Sequence, residues 1–420
     1  MTLFEELEAR GLVETATDPK IADLLNTPQT VYCGFDPSAA SLQAGNLVSI
    51  MMLRRLQLAG HKVIALVGGA TGLIGDPSGK SAERNMLTLE KVEENKRGIR
   101  ENLSRILDFD GPNAAVMVDN YEWYSGLSAI AFLRDVAVNF RVPQMLAKES
   151  VKKRLEASEG ALTFTEFSYQ ILQGNDFLHL FDKYGCTVEV GGADQWGNIT
   201  AGTDLVRRMR GKTAYGLTFP LLLDASGRKF GKSEGNALFM DASMTSVYDW
   251  YQYFLRSADE DVIRYLKVFS LKSLDEIASL ESQMKANPEA RIPQKALAEE
   301  LTALVHGESG LKVAQDATRT LFGGSVEGKG AAELETIFKD VKSATLPKGE
   351  VLGKPVFMVA SQAGMFKSNG EARRMASQGG LALNGSKVDD KRAFSDGDLV
   401  EGRVAVLRSG KKNHFLLRVS

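Results

Sequence analysis

Lys229 and Lys232 stand three apart in the glycine-containing turn Ala225-Ser226-Gly227-Arg228-Lys229-Phe230-Gly231-Lys232-Ser233. Ammonium groups on such a loop can close over a phosphoryl group and neutralise charge as it develops in a transition state. An isolated Lys-x-x-Lys is more often a solvated turn, so the pair needs company. Some comes from Tyr32-Cys33-Gly34-Phe35-Asp36-Pro37-Ser38, which leads through Gln43-Ala44-Gly45-Asn46 into Leu47. Glycine and small polar groups gather there at the start of a helix, whose unpaired N–H groups and dipole suit a phosphate. Gly45 would let a nucleotide approach the backbone, although a tight strand-to-helix turn would look the same. A third segment, residues 68–81, ends in Gly79-Lys80-Ser81 and invites a P-loop reading. Its spacing is wrong: that motif requires glycine where Ile74 stands, and Pro77 falls inside the loop.

Other chemistries have few candidates. There are only four histidines, His61, His179, His306 and His414, so a histidine base or a His-rich metal site has little to draw on. Cys33 and Cys186 are far apart, which gives neither a disulfide framework nor a zinc spacing. No protein-bound metal is expected. The N-terminal residues lack the basic flank and apolar stretch of a secretory signal, and no run is long enough to span a bilayer, so a cytoplasmic protein is expected. Net charge is -2, yet residues 351–420 carry twelve Lys and Arg against six Asp and Glu. That asymmetry points to an anionic partner at the C-terminal end.

These residues must be held by a scaffold, and the apolar pattern suggests which. Residues 29–33 read as a strand, 47–58 as an amphipathic helix, and 62–69 as a strand buried on both faces. The alternation continues with helix 89–107, strand 114–118, helices 127–134 and 165–180, strand 187–191 and strand 218–223. It predicts a doubly wound, parallel-sheet α/β domain whose ligand crevice lies at the C-terminal strand ends, where the glycine-rich segments fall. Beyond residue 241, stretches 257–266, 274–286 and 294–305 have helical spacing. The expected division is a Rossmann-like catalytic domain over 1–240 with the lysine loop at 225–236, and a helical domain over 241–321. A Gly- and Lys-rich linker over 322–353, around one short helix, and a small basic domain over 354–420 complete it. A chain of 420 residues exceeds what one core usually organises.

Residues 68–80, Phe164-Thr165-Glu166-Phe167-Ser168-Tyr169 with Gln173 and Asp176, and Gly191-Gly192-Ala193-Asp194-Gln195-Trp196-Gly197-Asn198 together resemble the bacterial-type tyrosyl-tRNA synthetases of class I. Residues 229–233 are similar to that class's KMSKS loop. Lys367-Ser368-Asn369-Gly370-Glu371-Ala372-Arg373-Arg374, followed by Gly379-Gly380 and Asn384-Gly385, resembles an S4-like α+β RNA-binding domain. The resemblance covers nearly the whole chain. It implies that tyrosine is activated by ATP, with Mg2+ as the nucleotide's counterion, and then loaded onto tRNA. Tyr32 and Asp176 would reach the substrate phenol, Asp76, Tyr169 and Gln173 its ammonium group, and Gln195 its carboxylate. Cys33, Gly34, Asp36, Gly45, Asn46, Gly192 and Asp194 would line the ATP site. Ser38, Gln43, Lys80, Arg84, Lys229 and Lys232 would serve the phosphates. Lys367, Arg373, Arg374, Arg408, Lys411 and Lys412 would meet RNA. A homodimer is implied, and the apolar stretch 130–140 could supply its interface.

The chain also departs from the pattern. The class signature is His-x-Gly-His, whereas this sequence reads Gln43-Ala44-Gly45-Asn46. Ser38 stands for the usual threonine and Ala193 for the usual serine. Two rival readings remain: a tryptophanyl relative, and a catalytically weakened, synthetase-like RNA-binding protein.

Overall fold

The computed structural model describes residues 1–78, 86–156, 162–233, 236–321, 326, 328–338, 341–410 and 413–420. The chain divides into two compact units, residues 1–305 and 306–420.

In the first unit, six strands form one sheet: β1 (Thr15–Ala16), β2 (Thr30–Phe35), β3 (Lys62–Val67), β4 (Val116–Asp119), β5 (Cys186–Gly192) and β6 (Tyr215–Phe219), in the order β1-β6-β5-β2-β3-β4. All neighbours are parallel except the short edge strand β1, which runs antiparallel to β6. After its exposed first residue β3 is buried throughout, as a strand covered by helices on both faces must be. The chain steps from β2 to β3 to β4 in one direction, then returns to build β5 and β6 on the other side of β2. That reversal leaves the ends of β2 and β5 without a crossover covering them, which is where an α/β sheet offers its crevice.

Two helices position most of the polar groups at those strand ends. Leu47–Leu58 spans the expected residues and buries nine side chains. Phe164–Tyr184 begins in a reciprocal cap: Thr163 Oγ1 accepts from the Glu166 amide at 3.1 Å and Glu166 accepts from the Thr163 amide at 3.3 Å. Glu166 also meets Arg154 at 2.9 Å, both side chains almost wholly buried.

Four differences from the sequence reading have physical causes. The strand expected over 218–223 ends at Phe219, because Pro220 has no amide to donate to the ladder. Residues 127–134 are not one helix but a short turn, Ala129–Ala131, passing into the wider π-turn Phe132–Val136. The helix expected over 294–305 runs from Ile292 to Leu321 but is broken at Gly307, whose φ of 73° no other residue adopts cheaply. The boundary between the compact units falls at that break rather than at residue 321. Finally, residues 343–351, expected within a linker, form a strand and a helical turn.

The helical part of the first unit, Val247–Leu255, Asp259–Phe269 and Leu274–Ala286, is fixed by buried arginines. Arg10 donates to the carbonyls of Lys267 and Lys272 at 3.2 and 2.7 Å, and Arg55 to Val268 at 3.1 Å. These guanidinium groups satisfy carbonyls in the last turn of Asp259–Phe269 and in the loop that follows it. A small hairpin, β7 (Lys232–Ser233) with β8 (Asn236–Ala237), lies between sheet and helices in sequence.

The second unit contains a sheet of β9 (Ser343–Leu346), β10 (Leu381–Leu383), β11 (Ser386–Val388), β12 (Val404–Ser409) and β13 (Asn413–Val419), ordered β11-β10-β12-β13-β9. Its core gathers Val356, Val359, Leu381, Leu407, Phe415 and Leu417. Asn384 and Gly385, at φ 50° and 89°, make the two-residue turn between β10 and β11 that positive φ at both positions allows.

Candidate active site

Tyr169, Gln173 and Asp176 recur at helical spacing along Phe164–Tyr184, so one face of that helix is polar. It covers the strand ends. Tyr169 Oη donates to Asp36 Oδ2 at 2.7 Å, just beyond β2, and Thr71 Oγ1 donates to the other oxygen of Asp36 at 2.7 Å. Gly68 allows this: a Cβ there would lie 2.0 Å from Asp36 Oδ1 and 2.2 Å from Thr71 Oγ1. Asn120, immediately after β4, donates to Thr71 Oγ1 and to Asp176 Oδ2, each at 3.0 Å. Its own oxygen accepts from the Ala70 amide at 2.7 Å. Trp123 Nε1 donates to Asp176 Oδ1 at 2.9 Å. One hydrogen-bonded network thus joins the ends of β2, β3 and β4 to the helix.

A second network lies past β5, where Gln195 Nε2 donates to Asp76 Oδ2 at 2.7 Å. The Ser78 amide donates to Asp76 Oδ1 at 2.9 Å, and Asn198 Nδ2 donates to Gln195 Oε1 at 3.1 Å. Gln173 Nε2 donates to Glu189 Oε1 at 2.8 Å. Tyr32 packs edge-on against Phe177, ring centroids 5.2 Å apart, with its hydroxyl buried and lacking a hydrogen-bond partner. Burial pushes the Asp176 carboxyl up to about 7 although bonds from Asn120 and Trp123 pull it back, and burial pushes Glu189 up to about 8. The phenols of Tyr32 and Tyr169 are raised well above their usual value, chiefly by burial.

On the nucleotide side, Gly34 is the one exposed residue in the otherwise shielded run of β2 from Val31 to Phe35, and Gly45 is exposed in the turn that precedes Leu47–Leu58. Cys33 is buried, and desolvation pushes its thiol up to about 12. Ser38 is exposed; Gly192 and Asp194 are half-buried. The Gln43 amide donates to Asn46 Oδ1 at 2.9 Å, so Asn46 has only its NH2 to offer a phosphate. Asp36, expected among the nucleotide groups, is bonded to Tyr169 and so lies in the network of the tyrosine set.

The lysine loop is anchored by a residue that spacing alone did not single out. Phe230 stacks on Phe269 and meets Tyr265 edge-on, each at 4.9 Å between centroids, while Lys229 beside it is exposed. The Gly231 amide donates to Tyr253 Oη at 2.8 Å, and Gly231 has φ 82°. A Cβ on Gly231 would come within 2.9 Å of the Gly45 amide. Backbone bonds from Ala44 to Leu238 and from Leu238 to Gly231, both 2.8 Å, stitch the loop base to the Gln43–Asn46 turn. Lys232 opens β7. Lys80 and Arg84 lie outside the described residues, as do Lys411 and Lys412.

In the second unit, Lys367, Arg373 and Arg374 are exposed, Arg373 Nε bonding Asp390 at 2.9 Å; Arg408 is half-buried on β12. Thr71, Asn120, Trp123 and Glu189 also line these networks, although the sequence does not single them out. Glu189 does carry a signal, as the sole charge in Thr187-Val188-Glu189-Val190-Gly191, and Thr71 lies within the glycine-rich segment 68–81; Asn120 and Trp123 carry none.

Comparison with known proteins identifies the family of the chain. Residues 25–323 match the family described as tRNA synthetases class I (W and Y), and residues 333–417 match the Tyrosine–tRNA ligase SYY-like C-terminal domain. The Tyrosine–tRNA ligase of Rhodopirellula baltica is 47% identical over 423 residues, covering 100% of this chain and 96% of its own. That of Bacillus caldotenax is 47% identical with 100% of both chains covered. The crystal structure of a C-terminally truncated mitochondrial tyrosyl-tRNA synthetase from Aspergillus nidulans superposes with a TM-score of 0.68 at 29% identity, over 76% of this chain and 94% of that one.

The raised pKa of Asp176 has a consequence for stability. Its folded value of about 7 exceeds that of an unfolded aspartate, about 4, so the proton favours the folded state below pH ~4 and that contribution is lost as pH rises through about 7. Asp176→Asn removes the titration. The stability of the variant relative to the parent should therefore grow by on the order of 1 kcal/mol per pH unit between pH ~4 and 7, read from urea melts; a difference independent of pH would contradict the buried titrating carboxyl.

Proposed function

We propose a division of labour on one premise: this chain belongs to the tyrosine–tRNA ligases of the class I tryptophan and tyrosine synthetase family. It joins tyrosine to its tRNA in two steps. The tyrosine carboxylate attacks the α-phosphate of ATP, pyrophosphate leaves, and the adenylate passes its acyl group to the terminal ribose of the tRNA. Such chemistry asks for positioning and for stabilisation of phosphoryl charge rather than for a covalent enzyme intermediate. The reading as a non-catalytic RNA-binding relative loses its ground, and the tryptophanyl alternative does not fit relatives named for tyrosine over the whole chain.

The observation that carries the site assignment is that Tyr32 on β2 and Asp176 on the polar face of Phe164–Tyr184 are both buried. In our reading the substrate phenol lies between them and donates to Asp176. A phenylalanine there would leave buried polar groups unpaired, which is costly; strong selection of tyrosine over phenylalanine is a long-standing worked example of that penalty in this same family. Asp76, Tyr169 and Gln173 take the ammonium group and Gln195 the carboxylate side. Cys33, Gly34, Asp36, Gly45, Asn46, Gly192 and Asp194 border ATP, which enters as its magnesium complex. Ser38, Gln43, Lys80, Arg84, Lys229 and Lys232 serve the phosphates. The first unit carries adenylation and the second unit holds tRNA. Among the described residues no helix is long and apolar enough to cross a membrane, and we assign the protein to the cytoplasm.

Gln43 replaces a histidine, but its amide retains two N–H donors. Gln43→His should raise the rate of tyrosine-dependent pyrophosphate exchange by up to about a hundredfold, or leave it unchanged, since one charge-assisted bond is worth roughly 1.5 to 3 kcal/mol. A large fall would show that glutamine is used in another way.

RNA contact by Lys367, Arg373 and Arg374 has a different readout. Replacing all three by alanine should leave exchange intact, weaken tRNA charging, and flatten its dependence on salt by about 0.7 to 0.9 in logarithmic slope per lost phosphate contact. Unchanged charging at every salt concentration would remove these residues from the RNA surface.

Ile130, Leu133, Val138 and Val142 are 72, 51, 58 and 55% exposed, more large apolar surface than solvent normally tolerates in one stretch. We assign it to a homodimer. Sedimentation of the parent at twice the chain mass and of Ile130→Glu nearer the chain mass is expected; a monomeric parent at micromolar concentration would contradict the dimer.

A further inference from the structure

Glu189 on β5 is the direct Cα partner of Tyr32 on β2, so the two side chains leave the same face of the sheet. They are 2% and 1% exposed. Gln173 Nε2 donates to Glu189 Oε1. The remaining atoms, Glu189 Oε2 and Tyr32 Oη, are buried without a hydrogen-bond partner of ordinary geometry, yet each is close enough to shift the acidity of the other group. Two orphaned polar atoms side by side in a buried pocket are costly unless a bond forms between them or with a ligand.

Among the described residues, the ionisable groups around Glu189 offer it no cation: Tyr32 and Cys33 on β2, Asp176 on Phe164–Tyr184, and Cys186 on its own strand. A buried carboxylate in such company is better held as the neutral acid, in keeping with the rise to about 8 caused by burial and reinforced by Asp176.

We propose that Glu189 is a positioning residue of the tyrosine pocket: as a neutral acid it accepts from Gln173 and donates its proton to the Tyr32 oxygen, which frees the Tyr32 hydrogen for the phenol oxygen of the substrate. The substrate phenol then donates to Asp176, whose oxygens each keep a lone pair beyond the bonds from Asn120 and Trp123. Every hydrogen in the chain Gln173, Glu189, Tyr32, phenol, Asp176 points the same way. When Glu189 loses its proton the direction reverses at Tyr32, which donates to the new carboxylate, and the phenol oxygen loses its donor. Glu189 touches no reacting atom, and the inference rests on the placement of the phenol between Tyr32 and Asp176 given above.

Glu189→Gln tests it, because an amide of the same shape keeps one acceptor for Gln173 and one donor for Tyr32 at every pH. Tyrosine-dependent pyrophosphate exchange is measured for the variant and the parent from pH ~6.5 to ~9, a window that brackets the Glu189 pKa. Titration of the substrate's own ammonium group cancels in their ratio. At the acid end the two should agree within about threefold. At the alkaline end the ratio of kcat/KM, variant over parent, should rise about tenfold, since one pH unit above its pKa only about a tenth of Glu189 keeps its proton. The change should lie in KM for tyrosine, with kcat little altered. A ratio independent of pH, or a variant already crippled at the acid end, overturns the proposal. Tyr32→Phe distinguishes the role of Glu189 from the placement of the phenol. If it costs tyrosine kcat/KM while the Glu189→Gln ratio stays flat, only the role of Glu189 falls. If it costs nothing, the placement of the phenol falls as well.

Discussion

The site depends on the side chain of Asn120. Fully buried at the end of β4, it accepts from the Ala70 amide and donates to Thr71 and Asp176, spending both donors and its acceptor inside the protein. Through Thr71 it reaches Asp36, and through Asp36 it reaches Tyr169. Segments that are remote in sequence are thereby held to hydrogen-bond tolerance. The sheet makes this meeting available, because its parallel strands bring the C-terminal ends of β2, β3, β4 and β5 to one side. Buried groups then make it strict, since each would be costly if left unpaired.

Much of the fold is legible in the sequence because its strands and helices are periodic. Helices 47–58 and 274–286 begin and end where the apolar pattern begins and ends. Expectation and structure part where backbone chemistry or tertiary packing overrides pattern. Pro220 stops a strand that hydrophobicity alone would continue, and Gly307 breaks a helix whose pattern runs on. Residues 343–346, rich in neither turns nor apolar residues, are a strand only because they pair in parallel with β13. Such pairing is a property of the folded chain and leaves little trace in the local sequence.

The candidate site is legible to a different degree. Tyr169, Gln173 and Asp176 share a helix face, and the residues around Asp36, Asp76 and Gln195 sit at strand ends, as a doubly wound sheet requires. Spacing does not show which carboxylate meets which donor, so the bond that ties Asp36 to Tyr169 on the helix face is seen only in the fold. Asn120 and Trp123 follow a strand without any motif, and only the fold reveals them. The phosphate side shows the same division: the lysines are plain in the sequence, whereas the packing of Phe230 and the close approach of Gly231 to Gly45, which bring loop and helix turn together, are not.

Substrate selection turns on where the phenol of tyrosine lies, and a crystal structure of the protein with tyrosine bound measures that most directly. It should show the phenol oxygen within about 3.0 Å of both Tyr32 Oη and an Asp176 carboxyl oxygen, with the bonds of Asn120 and Trp123 to Asp176 undisturbed. A tyrosine whose phenol points away from Asp176, or whose binding requires Asp176 to leave Asn120, would contradict this placement.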